Sequence, residues 1–220
     1  MRLATAALGV IAAGHDLPAF AMPSAYDRAF VAEFEQACVP GRLGYETSRQ
    51  AASAAGWREV GQDAHPELDA MMQIAERAIL EDDELDDPTF DATFYGKDIE
   101  GRSHFLVVSR SSFVIGDPDD PLNPWAYIGC YLYDFDATQP VDPAPVSDMV
   151  GKPISHSISD ETITTHVWGP PCPMPRTGDT YLSYIPDGSP LVARTGFSGQ
   201  VLKFETSEPD PGAPEPEPYC

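Results

Sequence analysis

Four cysteines and five histidines are the residues of this 220-residue chain with the widest chemical repertoire. Cys38, Cys130, Cys172 and Cys220 are an even number, which in an exported chain permits two disulfides in three connectivities. His156, His166 and Cys172 offer imidazole and thiolate suited to zinc, but their spacings of ten and six match no structural-zinc signature. Asp117-Pro118-Asp119-Asp120-Pro121-Leu122-Asn123 supplies oxygen ligands of the kind calcium accepts. It lacks the central Gly and terminal Glu of an EF-hand loop, and Asp, Asn and Pro are ordinary turn residues. These patterns assign no metal and no cofactor. Gly196-Phe197-Ser198-Gly199-Gln200 approaches the serine-hydrolase elbow, yet Gln200 stands where the motif needs Gly, and the context is not strand to helix. Ser198 therefore reads as a turn residue. His15, His65 and His104 have no nucleophile at a recognisable spacing, and no pair of carboxylates stands out among 35 acidic residues.

One row of side chains is unusual. In Trp125 to Tyr133, WAYIGCYLY, strand alternation sets Ile128, Cys130 and Leu132 on one face and Trp125, Tyr127, Tyr131 and Tyr133 on the other. Amphipathic aromatics on an outer sheet face form a ligand or protein contact surface, unless loops or a helix cover them as cross-strand core.

The elements that would position these residues follow from periodicity. Tyr26, Phe30, Phe34 and Cys38 recur every four residues behind Ser24 as N-cap and before Pro40-Gly41, predicting a helix from Ser24 to Cys38. Further helices are predicted over about 45–57 and 66–80, the latter opening on Pro66. The carboxylate run Glu81 to Asp87 reads as a solvated loop. After Pro88 the pattern changes to short β-rich runs: 89–95, 103–108, 125–135, 162–168, 180–185, 191–194 and 199–205, with a brief helix near 146–150. Short connections favour a meander. The expected fold is α+β, a single domain over 22–206 in which N-terminal helices pack on one face of an antiparallel β-sheet. Residues 207–220, SEPDPGAPEPEPYC, are acidic and Pro-rich and are expected to be a disordered tail. Because Cys38 shares the apolar face of the first helix and Cys130 the aliphatic face of a strand, a Cys38–Cys130 disulfide is the preferred pairing. Two buried free thiols are the alternative.

Composition narrows the setting. The formal charge is −22, which repels phosphate backbones and anionic lipid, so nucleic acid is not an expected partner. Leu3 to Ala13 is apolar, Arg2 precedes it and Ala19-Phe20-Ala21 follows. This order predicts a signal peptide over 1–21 and a mature chain starting at Met22, in the periplasm or secreted. Eleven apolar residues are too few for a transmembrane anchor.

Phe34-Glu35-Gln36-Ala37-Cys38 on a helix, the Gly56-Trp57 pair and Trp125-Ala126-Tyr127-Ile128-Gly129-Cys130 on a strand resemble a group of small exported bacterial proteins of unassigned activity. The resemblance spans roughly Phe34 to Tyr133. It implies export and a paired Cys38 and Cys130, and it carries over no catalytic or ligand residue. The expected function is a non-enzymatic exported binding or envelope-associated domain, whose partner is an envelope or extracellular protein or a small ligand. An exported hydrolase with an unrecognised active site is the alternative.

Overall fold

In a computed structural model of the chain, residues 22–114, 116, 123–209, 214, 217 and 218 are described. The expected signal peptide, the Asp117 to Leu122 part of the acidic loop, most of the tail and Cys220 lie outside the described residues.

Helix α1 (Ala25–Cys38) begins where the sequence places it, because Ser24 and Asp27 form a reciprocal capping box that satisfies backbone donors of the first turn. Phe30, Phe34 and Cys38 are each fully buried along its inner face. Helix α2 (Tyr45–Ala54) follows, then the short strand β1 (Arg58–Val60), a 3-10 turn at Gln62–Ala64 and α3 (Pro66–Leu80). Pro66 suits the first turn of α3, where its missing N–H is no loss. The remaining elements are β2 (Asp86–Ile99), β3 (Arg102–Val114), β4 (Trp125–Asp134), α4 (Ala144–Val150), β5 (His156–Ser159), β6 (Thr164–Trp168), β7 (Thr180–Ile185), α5 (Val192–Thr195) and β8 (Gly199–Ser207). The fold is α+β, as expected.

All eight strands form one antiparallel sheet in the order β1-β2-β3-β4-β8-β7-β6-β5. The expected continuous meander is thereby corrected: two four-stranded meanders meet at β4 and β8. The break falls at residues 135–155, which carry α4 across a sheet face and bury Val146 and Val150 in the main core. A connection with apolar residues of its own to bury cannot be a hairpin.

A second correction concerns the helices, which lie on both faces. On one face α1, α2 and α4 enclose a core with Val108, Cys130, Leu132, Leu202 and Phe204, and Phe34 meets Phe204 edge to face at 5.2 Å. On the other, α3 sets Leu68, Met71 and Met72 against Val107, Tyr133, Val201 and Ile185. Both faces need cover because the central strands are apolar on both. Residues 191–194, expected as a strand, are instead the N-cap and the first three residues of the single helical turn of α5. That turn closes at Gly196, whose φ of +80° suits glycine and whose missing side chain leaves room for the Met71 backbone. The last strand extends past the expected end of the domain to Ser207, and Glu208 Oε2 accepts a hydrogen bond from Arg110 at 2.8 Å.

The disulfide joins Cys38 to Cys130 with Cα atoms 5.8 Å apart, bonding the end of α1 to the middle of β4. Among the described residues no helix is long and apolar enough to cross a membrane.

Candidate functional site

Helix α3 and the α5 turn cover only half of the aromatic face. Tyr133 lies in the covered half, 6% exposed, stacked on Phe135 at 5.3 Å and met edge-on by Phe197. It is core, and the expected four-residue surface is corrected to that extent. Phe135 in turn stacks on His65 at 4.6 Å, so that histidine is spent on packing. Tyr131 sits at the border of the two halves, stacked on Tyr133 at 6.4 Å.

Beyond Tyr131 no helix among the described residues covers the sheet. Trp125 and Tyr127, both half-buried, line a cleft of about 540 Å³ together with Tyr181, Arg176, Gly178, Asp179, Lys203 and Glu205. The floor is the starting half of β4, the end of β8 and the start of β7. The wall is the segment before β7, held to β8 by Gly178 N–H donating to the Glu205 carbonyl at 2.8 Å and by a bridge between Thr177 and Thr206. Arg176 closes the rim: its Nε and Nη2 donate to the carbonyls of Ser207 and Glu208, each at 3.1 Å.

The charges within the cleft are matched. Lys203 Nζ lies 5.2 Å from the centre of the Tyr181 ring and 5.7 Å from that of Tyr131, within cation–π range. The Tyr131 hydroxyl donates to Glu205 Oε1 at 2.9 Å. Burial first, and then the Glu205 carboxylate, hold the Tyr131 phenol well above its ordinary pKa, so it stays a donor at any physiological pH. Gly129 makes this arrangement possible, since a Cβ there would collide with the Tyr131 ring folded across it. Gly129→Ala is therefore expected to drive Tyr131 off Glu205 and cost about 1 to 3 kcal/mol through overpacking, read as a lowered midpoint in urea.

Three other polar constellations are more catalytic in composition. On the opposite face, Tyr26 Oη donates to Asp134 Oδ2 at 2.5 Å and lies 2.9 Å from His104 Nε2, while Arg102 Nη1 reaches Asp134 Oδ2 at 2.9 Å. The His104 and Asp134 side chains have no exposed surface, so no substrate reaches them. Sequence reasoning missed this group although its signal was present, because His104 and Asp134 continue the same alternation as the core residues Leu106 and Leu132. Ser198 donates from Oγ to Glu67 Oε1 at 3.0 Å and from N–H to Oε2 at 3.1 Å, which ties β8 to the first turn of α3 without a histidine. Ser157 Oγ and His166 Nδ1 are 2.8 Å apart on the exposed β5–β6 edge, outside the larger clefts of the described residues. His156, His166 and Cys172 form no metal group, since Cys172 is itself disulfide-bonded and supplies no thiolate. No cluster of three or more ligating residues occurs among the described residues. Of the acidic loop only Asn123 is described.

Comparisons of the chain with protein-family models, with curated proteins and with solved structures give no match, so the site is read from its own geometry.

Proposed function

We propose that this chain is an exported, non-enzymatic binding domain whose ligand occupies the open half of the aromatic sheet face. The observation that carries the reading is the cleft itself: two half-buried aromatic rings of β4 line it beside a rim of fixed charges, in the size range of small-ligand sites. The acid–base groups elsewhere are either shielded from solvent or set on an exposed edge without a cleft, which favours binding over hydrolysis. Export rests on the signal-like N-terminus, on the resemblance described above and on a structural disulfide, which persists in oxidising compartments. The native protein is accordingly expected to begin at Met22, in the periplasm or outside the cell, and N-terminal sequencing of material from the producing cell checks it.

The tryptophans offer a direct assay of the cleft. Trp57 and Trp168 are buried, 3% and 0% exposed, whereas Trp125 lines the cleft. Acrylamide quenching of the intrinsic fluorescence thus reports chiefly on Trp125. Envelope and extracellular fractions containing the ligand are expected to protect it, and Tyr127→Ala is expected to weaken that protection. If no fraction protects Trp125, the binding reading fails.

A further inference from the structure

We propose that the cleft takes a neutral oligosaccharide, a reading that rests on the cleft being a binding site. In a chain of charge −22 the lining, among the described residues, balances two cations, Arg176 and Lys203, against two anions, Asp179 and Glu205. Such a lining selects neither a polyanion nor a polycation. The Tyr131 and Tyr181 rings already carry the Lys203 ammonium, so a cationic ligand seeking those rings meets a like charge. A wholly apolar ligand would strip water from four charged groups and return no hydrogen bond to them. A peptide strand fares no better, because the floor is a sheet face whose backbone groups are spent on the β4–β8 and β8–β7 ladders.

A sugar answers each of these constraints. Its hydroxyls both donate and accept, so the same ligand satisfies the Asp179 and Glu205 carboxylates and the Lys203 ammonium. The C–H face of a pyranose covers an aromatic ring such as Trp125 or Tyr127, while the ring edge stays hydrogen-bonded. About 540 Å³ open on one side admits a short stretch of a longer chain.

The test uses the full oxidised chain, Trp125 quenching as the readout, and a panel of neutral tetra- to hexasaccharides built from glucose, N-acetylglucosamine or mannose. At least one series is expected to protect Trp125 with affinity rising with length. Tyr127→Ala and Lys203→Gln should each weaken it about tenfold, as loss of one ring contact or charged hydrogen bond implies. Raising salt to 0.5 M should change the affinity less than twofold, because a neutral ligand has no charge to screen. A circular-dichroism spectrum unchanged from wild type qualifies each variant. The protective envelope fraction supplies the second arm: a glycosidase mixture, which hydrolyses glycosidic bonds, should destroy its activity and protease should spare it. Protection that survives hydrolysis of the glycosidic bonds, or that a peptide of residues 207–220 reproduces while every sugar fails, would overturn the saccharide assignment and leave the cleft a binding site. Absence of protection by any fraction or sugar would overturn both.

Discussion

A Cys38→Ala/Cys130→Ala variant is expected to unfold with about 4 to 5 kcal/mol less free energy than the wild type under oxidising conditions. The two residues are 92 apart in sequence, and closing a loop of that length removes most of this amount from the entropy of the unfolded chain. For a chain of this size such a loss lowers the melting temperature on the order of 10 °C or more. Alanine is the right replacement because both sulfurs are buried among Phe34, Val108 and Phe204, where a serine hydroxyl would add an unpaired polar group and exaggerate the effect. The bond also serves the cleft. Cys130 belongs to β4, whose other face carries Trp125, Tyr127 and Tyr131, so the link to α1 fixes the strand on which these rings stand. Scanning calorimetry of the double variant decides the matter, and a melting temperature within about 3 °C of wild type would mean that packing alone holds α1 in place.

Local structure was legible wherever one periodicity ruled. The four-residue spacing through Phe30, Phe34 and Cys38, and the two-residue alternation through Ile128, Cys130 and Leu132, identified two buried faces, and geometry left their cysteines in bonding distance. Pro66 and Thr180 likewise marked the starts of α3 and β7. What the sequence did not reveal is long-range. Nothing within residues 135–155 says that the chain must pass to the far edge of the sheet, because the β4–β8 pairing that displaces a meander depends on residues some 70 positions away. The aromatic row was visible, but its division was not: Tyr133 became core because α3, distant in sequence, lands on it, while Trp125 and Tyr127 lie past the end of that helix. The other members of the site, Tyr181, Lys203 and Glu205, come from β7 and β8 and join the row only through sheet order.

Asp134→Ala is expected to be the most damaging single substitution among the polar residues described, at roughly 2 to 4 kcal/mol, because the Tyr26 hydroxyl and the Asp136 N–H lose their acceptor while Arg102, 37% exposed, regains water. Its carboxylate accepts from Tyr26, from Arg102 and, through Oδ1, from the Asp136 backbone N–H at 3.1 Å, so it joins α1, β3 and the end of β4 at one buried point. Tyr26→Phe removes one of those bonds and should cost less, about 1 to 3 kcal/mol. The same group makes stability depend on pH in a definite direction. Burial holds the His104 imidazole below its ordinary pKa of 6.5, with the Arg102 charge acting the same way; the hydrogen bond to the Arg102 carbonyl and the Asp134 and Asp98 carboxylates oppose it without prevailing. Above pH 6.5 the histidine is neutral in both the folded and the unfolded chain and contributes no pH dependence. As the pH falls below 6.5 the unfolded chain takes up a proton that the folded chain resists, so stability is lost on acidification until the lower folded pKa is reached. His166 is shifted the same way by burial, but it is part-exposed on the opposite half of the sheet, and its effect persists when His104 is replaced. The measurement is therefore a difference: urea midpoints of wild type and His104→Gln from pH 7.5 to 5. The wild type should lose more stability than the variant across the window just below pH 6.5, and parallel curves would show that the buried imidazole takes no part in acid unfolding.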